Sequence, residues 1–334
     1  MQICKKIHRG GNAEQYHAEK KCKEAVAVAV EACADDTQGQ KCYICLEAVH
    51  PRTGEGLVRG CACGDRVGVY SPELGVVHVS CLAEQAKLLV AGARENNLWG
   101  EEFDARFQRW VTCGLCEQQY HGVVACALGW ACWRAYLGRS EGDFVRRSAI
   151  TQLGNGLSAG NHHADALFVG EAELSMERRL GASEINLLVT QSNLASTYTM
   201  LGQDKDAVRL QQDVYSGTIK LHGVEHKGTL REACNLATLL HKLERFEEVK
   251  SMMRKTTPVA RRVLGAEHTL TLSLSEDLFC ATLAGDSSAE EKREALQMLE
   301  DTLGVMRRVF GTAHPDTLHT QKVLEFYRGK YAEG

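Results

Sequence analysis

Four close pairs of metal-binding side chains lie between residues 42 and 116. One or two residues separate the members of each pair, and the pairs are Cys42 with Cys45, Cys61 with Cys63, His78 with Cys81, and Cys113 with Cys116. Thiolate and imidazole are ligands that zinc favours, and a tight turn can present both members of such a pair to one ion. Eight ligands make two tetrahedral sites. We therefore predict two structural zinc ions, whose binding drives the folding of a segment with few core-forming side chains.

The remaining composition indicates an intracellular protein. The chain of 334 residues has a net charge of -4, which gives no broad basic surface for nucleic acid. No apolar run approaches the roughly 18 residues that a membrane span needs, and the N-terminus lacks the apolar block of a secretory signal. We expect a cytoplasmic or nuclear protein whose 14 cysteines are reduced, with no nucleic-acid partner and no membrane span.

The order of the pairs, with the strings CYIC, CAC, HVSCL and CGLC, resembles the RING-variant (RING-CH) family over residues 41–120. That resemblance implies that the first and third pairs share one zinc ion and that the second and fourth share the other. The PHD finger uses the same ligand types, but its second pair is usually C-x2-C and its histidine follows after a few residues. Here fourteen residues separate Cys63 from His78, so the RING-variant pattern is the better match.

The resemblance implies ubiquitin transfer, in which a RING module holds a loaded ubiquitin-conjugating enzyme and acts by positioning rather than as a nucleophile. Ile44 matches the apolar position that contacts the conjugating enzyme, although it is equally interpreted as an apolar filler beside a zinc turn. Gln85 stands where the family often has Trp, and Glu117 where it often has a basic residue. The alternative function is therefore a zinc-stabilised interaction scaffold without ligase activity.

Helices are predicted around the zinc ligands. Residues 82–112 are interpreted as two helices separated near 96–100 and packed by Trp99 and Trp110. A further helix follows Cys116 and ends near Gly138, with Trp130 and Trp133 between the zinc module and the repeats. Two thiols of this helix, Cys126 and Cys132, are expected to be buried.

The first 40 residues are predicted to be helical, and their role stays open. They carry four residues of metal-binding type, namely Cys4, His8, His17 and Cys22. A third zinc site is one interpretation, but the spacing of these four residues is irregular.

The C-terminal half contains an internal repeat. Its marker, Gly-x2-His-x3-Leu, begins at Gly223, Gly265 and Gly311, so the period is near 42 residues. Each unit contains two amphipathic patterns with glycine at their ends, as helix C-caps prefer. HEAT and armadillo repeats have a similar length, but the strings GxxHxxTL, NLA and GAEHTLTL resemble the tetratricopeptide repeats of the kinesin light chain type. The resemblance covers residues 139–330.

We therefore predict a mostly α protein in which a helical segment (1–40) and a small zinc-bound RING-like module (41–120) precede an α-solenoid of tetratricopeptide-type helix pairs (121–334). The repeated histidines are expected in turns that pack against the next unit, and Pro258 should break or kink its helix. Polar residues that recur on one face are expected to line a groove for a protein or peptide ligand, and they are Asn193, Arg231, Asn235 and Asp277.

Overall fold

The chain is mostly helical and divides into two compact units, Met1–Ala182 and Ser183–Gly334. The computed structural model describes residues 12–61, 75–309, 312 and 315–332. No helix within these ranges is both long enough and apolar enough to cross a membrane. The predicted domain limits at residues 40 and 120 stay a prediction.

The first unit contains seven helices among its described residues, together with one small sheet. The helices are α1 (Asn12–Ala32), α2 (Ala34–Thr37), α3 (Val79–Glu95), α4 (Glu101–Phe107), α5 (Gly122–Tyr136), α6 (Phe144–Ala159) and α7 (His163–Arg179), and a 3-10 turn covers Gln108–Trp110. Strands β1 (Val58–Arg59) and β2 (Val76–Val77) pair antiparallel, with Val58 opposite Val77.

Helix α5 is the centre of the first unit. It is buried along most of its length, which is typical of a helix that is apolar on all sides, and α1, α3 and α6 pack around it. Glycine permits its close crossing with α6, because a Cβ atom at Gly156 would lie 2.7 Å from the carbonyl oxygen of Ala125. Trp130, Trp133 and the thiols of α5 are buried, as predicted.

The predicted helices between Cys81 and Cys113 are present as α3 and α4, but their two tryptophans differ. Trp110 is fully buried and meets the ring of Tyr136 edge-on at 5.8 Å. Trp99 is 75% exposed, so the prediction that it packs the two helices together is wrong. The turn before α4 contains the left-handed residues Asn97 and Gly100, and it leaves the Trp99 ring without a surface to cover.

The second unit is a series of helix pairs. Its described helices are α8 (Glu184–Met200), α9 (Asp204–His222), α10 (Lys227–Lys242), α11 (Phe246–Leu264), α12 (Thr269–Ala284), α13 (Ala289–Val309) and α14 (Pro315–Ala332). Each helix packs against the next one in the chain, and α10 also contacts α12. This arrangement confirms the predicted α-solenoid.

Pro258 does not break its helix, so the part of the prediction that expected a break is wrong. Helix α11 continues through Pro258 to Leu264. The proline is exposed, while its neighbours Thr257 and Ala260 are buried. The packing of this face holds the helix together although proline removes one backbone hydrogen bond.

Two of the three repeated histidines cap helices, and the third, His314, lies outside the described residues. His226 and His268 are the N-cap residues of α10 and α12, and each Nδ1 accepts a hydrogen bond of 3.1 Å from the backbone N–H two residues later. The histidines lie in the turns between units, and each satisfies one of the free N–H groups at a helix start.

We expect His226→Ala to lower the free energy of unfolding by about 1 kcal/mol, because the cap bond is lost, whereas His226→Asn should keep most of it. Urea denaturation measures both. The ring of His222 stacks on His226 at 4.4 Å, so His222→Ala is the control. An equal loss in that variant would mean that ring stacking, rather than capping, is responsible.

Candidate metal centres and repeat groove

Four predicted ligands form the first metal cluster. The ligand atoms of Cys42, Cys45, His78 and Cys81 all lie within 4.8 Å of one another. Nδ1 of His78 lies 3.3 Å from the Cys45 sulfur and 3.7 Å from the Cys81 sulfur. Zinc bonds of about 2.0–2.3 Å in a tetrahedron place neighbouring ligands roughly 3.5–3.8 Å apart. The donor set and the spacing therefore fit a zinc ion.

Three thiols form the second metal cluster. The sulfur atoms of Cys61, Cys113 and Cys116 lie within 4.8 Å of one another, and all three residues are buried. The fourth predicted ligand, Cys63, lies outside the described residues. Cys61 follows β1, whereas Cys113 and Cys116 precede α5. The backbone N–H of His121 donates a hydrogen bond of 3.1 Å to the carbonyl of Gly60, which ties this cluster to the start of α5.

The two C-x2-C loops have the same backbone structure. In the first loop, N–H of Ile44 donates to the Cys42 sulfur at 3.4 Å, and N–H of Leu46 donates to the Cys42 carbonyl at 2.9 Å. In the second loop, Leu115 and Glu117 make the matching bonds to Cys113, at 3.4 and 3.0 Å.

In each loop the residue that follows the second cysteine is left-handed, with φ of 64° at Leu46 and 59° at Glu117. Non-glycine residues adopt this conformation uncommonly. Its occurrence at the same point of both loops supports one shared role in presenting two sulfur atoms to an ion.

The thiols of the first cluster have different proton affinities. Burial works against ionisation of Cys42, but hydrogen bonds from the backbone N–H groups of Cys45, His78 and Ile44 outweigh it and lower the Cys42 pKa. Burial, together with the charge on Cys42, raises the pKa of Cys81 well above its ordinary value. Neighbouring thiols therefore resist losing their protons together, and a bound cation would reverse this effect.

Equivalent apolar side chains lie at the surface of the two loops. Ile44 is 37% exposed and Leu115 is 49% exposed. In both residues the backbone N–H donates to the sulfur of the cysteine two positions earlier. Sequence reasoning singled out only Ile44, although the matching strings CYIC and CGLC contain the signal for both. Two exposed apolar side chains at matching points of the loops offer a contact area for another protein.

A third metal site stays a prediction, because only two of its four proposed ligands are among the described residues. Cys4 and His8 lie outside them. Cys22 is buried, and burial raises its pKa. The ring of His17 meets Trp130 edge-on at 6.1 Å.

Three predicted groove residues are exposed on the first helices of successive pairs: Asn193 on α8, and Arg231 and Asn235 on α10. We call this face of α8, α10 and α12 the repeat groove. Beneath it lies Glu232, a buried carboxylate that sequence reasoning missed. It accepts hydrogen bonds from Ser192 at 2.8 Å, from Gln211 at 2.9 Å and from Asn235 at 3.1 Å.

The fourth predicted groove residue, Asp277, is placed differently. Its carboxylate accepts a hydrogen bond from the Cys234 thiol at 3.5 Å, and its carbonyl lies 2.9 Å from Nε2 of His241. Asp277 therefore lies between α10 and α12. Burial raises its pKa to about 7. The adjacent Glu276 has a pKa that is raised, mainly by burial, and accepts a bond from Thr320.

Comparison with known proteins supports the repeats. A family model described as a tetratricopeptide repeat matches residues 187–226, 233–270 and 287–316. No curated protein matches the chain.

Matches among solved structures include the following two. The crystal structure of nearly identical TPR-like repeats from a putative kinesin light chain of Podosopora anserina has 19% identity and a TM-score of 0.45, and the match covers 69% of this chain and 97% of that one. BtubC (BKLC) from P. vanneervenii has 13% identity and a TM-score of 0.47, with 76% and 84% covered.

Asp277 makes stability depend on pH. Its folded pKa lies above its ordinary value, so the unfolded chain ionises first and stability falls as pH rises from about 4 to about 7. We expect Asp277→Asn to remove this loss and to raise the free energy of unfolding at pH 8 by on the order of 2 kcal/mol, with little change at pH 4.

Urea denaturation across this pH range measures the effect. Asp206→Asn is the matched control, because the side chain of Asp206 is 59% exposed. A wild-type stability that does not fall between pH 4 and pH 7, or an Asp277→Asn variant that follows the wild type, would contradict the expectation.

Proposed function

We propose that this protein is a zinc-stabilised interaction scaffold. In this proposal, the helix pairs of residues 183–334 bind a segment of a partner protein, and two zinc ions stabilise the fold around residues 42–116. The observation that carries the proposal is the match of a tetratricopeptide-repeat model to three segments of a helix-pair solenoid. Helix-pair solenoids present an extended surface to partners.

The repeat groove has side chains suited to an extended peptide. The amides of Asn193 and Asn235 can donate to and accept from a peptide backbone. The side chain of Arg231 is 66% exposed and lies 3.6 Å from the Glu232 carboxylate, so its guanidinium is accessible for a charge-assisted bond to a ligand. These groups support binding of a polar segment.

The metal clusters support a structural rather than a catalytic role. Each predicted site has four protein ligands, namely Cys42, Cys45, His78 and Cys81 for the first, and Cys61, Cys63, Cys113 and Cys116 for the second. A closed site with four protein ligands has no position for a reacting water. Zinc would therefore contribute folding free energy.

Selection of peptides from a displayed random library against the purified full chain tests the scaffold. We expect selected peptides to bind saturably and to bind at least about fivefold more weakly to Asn193→Ala and to Asn235→Ala, because truncation of a bound polar contact costs more than about 1 kcal/mol. Arg261→Ala, on the second helix of a pair, is the control. Peptides whose affinity is unchanged in both asparagine variants would contradict the assignment of the groove.

A second candidate function is that of a RING-type ubiquitin-protein ligase. The exposed apolar side chains of Ile44 and Leu115, at matching positions of the two cysteine loops, favour it, since a conjugating enzyme would need such a contact surface. The resemblance to the RING-variant ligand order supports the same function.

Self-ubiquitination by zinc-loaded protein with a panel of conjugating enzymes tests the ligase. A ligase would form ubiquitin chains as the wild type and as Glu47→Ala, which alters an exposed residue of the same loop, and would form none as Ile44→Ala or Cys61→Ser. The absence of chains from wild-type protein that contains two zinc ions would exclude the ligase and leave the scaffold.

A further inference from the structure

Glu55 links the loop of residues 50–56 to the first turn of α3. Its Oε1 accepts a hydrogen bond of 2.6 Å from the backbone N–H of Ser80, and its Oε2 accepts one of 2.7 Å from the Ser80 hydroxyl. Ser80 lies between the predicted ligands His78 and Cys81. We propose that Glu55 is a positioning residue for the first metal cluster, holding the start of α3 so that His78 and Cys81 keep the geometry of a tetrahedral site. This inference rests on the proposed zinc binding.

Helix α3 needs a cap from elsewhere in the chain. His78 is its N-cap residue and provides no side-chain cap, since its Nδ1 is directed at the sulfur atoms of Cys45 and Cys81. The free N–H groups of a first turn require acceptors, and a carboxylate there also interacts favourably with the helix dipole. Glu55 supplies this carboxylate from a position 25 residues before Ser80.

The loop that carries Glu55 is itself anchored. N–H of His50 donates to the Glu55 carbonyl at 2.9 Å, and N–H of Thr53 donates to Nδ1 of His50 at 3.2 Å. Gly56 lies against α1, where an added Cβ would meet Val30 at 2.6 Å. A fixed loop can transmit its position to the residues that it contacts.

The same loop also contacts the imidazole of His78 directly. The buried ring of His50 meets the ring of His78 edge-on, with centroids 5.3 Å apart. Loop 50–56 therefore contacts the His78 region twice, once through the Glu55 bonds to Ser80 and once through His50. Loss of the Glu55 bonds would free the first turn of α3 and shift His78 and Cys81 together.

Outer partners of metal ligands typically contribute about 10-fold to 100-fold in metal affinity. We expect Glu55→Gln to weaken zinc binding at the first cluster about tenfold. Ser80→Ala should have a smaller effect, because it removes the hydroxyl donor but keeps the backbone N–H. Affinity at the second cluster should not change, since Ser80 lies between two ligands of the first cluster.

The experiment uses the full chain. Chelator competition measures zinc affinity, and cadmium-113 NMR of the cadmium-loaded protein gives one resonance for each site. The site with nitrogen and sulfur ligands and the site with sulfur ligands alone have different shifts, so the perturbed site is identified. Glu47→Gln is the matched control: it removes one negative charge from the first cysteine loop, where Glu47 is exposed, and leaves the Ser80 bonds intact.

The expected result is a weakened or shifted first-site resonance in Glu55→Gln, with the second resonance and the Glu47→Gln spectrum unchanged. A purely structural role of Glu55 would perturb both sites equally, and that outcome overturns the proposal. If the wild type binds two zinc ions and the first cluster has the same zinc affinity in Glu55→Gln as in Glu47→Gln, the positioning role alone is overturned. Wild-type protein that binds no zinc overturns both this inference and the zinc part of the proposed function.

Discussion

The thiol and imidazole groups of the first cluster form the contact on which the surrounding segments depend. Cys42 and Cys81 are buried with His78 between them, yet sulfur atoms this close repel one another once more than one is ionised. A divalent cation turns that repulsion into attraction. The segment around residues 41–61 has one two-residue strand and no helix after α2. Metal coordination would therefore take the place of a larger core there.

A zinc ion in each cluster would offset the backbone strain of its cysteine loop. Leu46 and Glu117 are left-handed at the ends of the two cysteine loops, a conformation that costs roughly 1–2 kcal/mol for a residue with a Cβ atom. Structural zinc contributes about 10–16 kcal/mol in small zinc-dependent folds, several times more than this cost. The loops can therefore keep non-glycine residues at both positions.

Residue spacing along the chain predicted those parts of the structure in which the residues that come together are close or regularly spaced in the sequence. The cysteine pairs and the 42-residue period indicated the two clusters and the helix pairs, because both depend on residues at short or regular separations. The bonds between Glu55 and Ser80 have no local signature. Asp277 was assigned to the groove by its register with Asn235, but register does not reveal that Cys234 lies opposite and draws the carboxyl between two helices. Trp99 and Pro258 were misjudged because tertiary packing, which intrinsic preference does not show, decides both positions.

In the second unit, buried carboxyl groups lie where the first helices of successive pairs, α8, α10 and α12, contact one another. Glu232, between α8 and α10, has three side-chain donors around its carboxylate. Asp277, between α10 and α12, has one thiol, which is a weak donor. Burial without strong donors favours the neutral acid, and the pKa of Asp277 is accordingly raised to about 7. Glu276 lies beside Asp277 and also has a raised pKa, so α12 contains two adjacent carboxyl groups whose charged form is disfavoured. At Asp277, burial beside a single weak donor therefore favours the uncharged carboxylic acid.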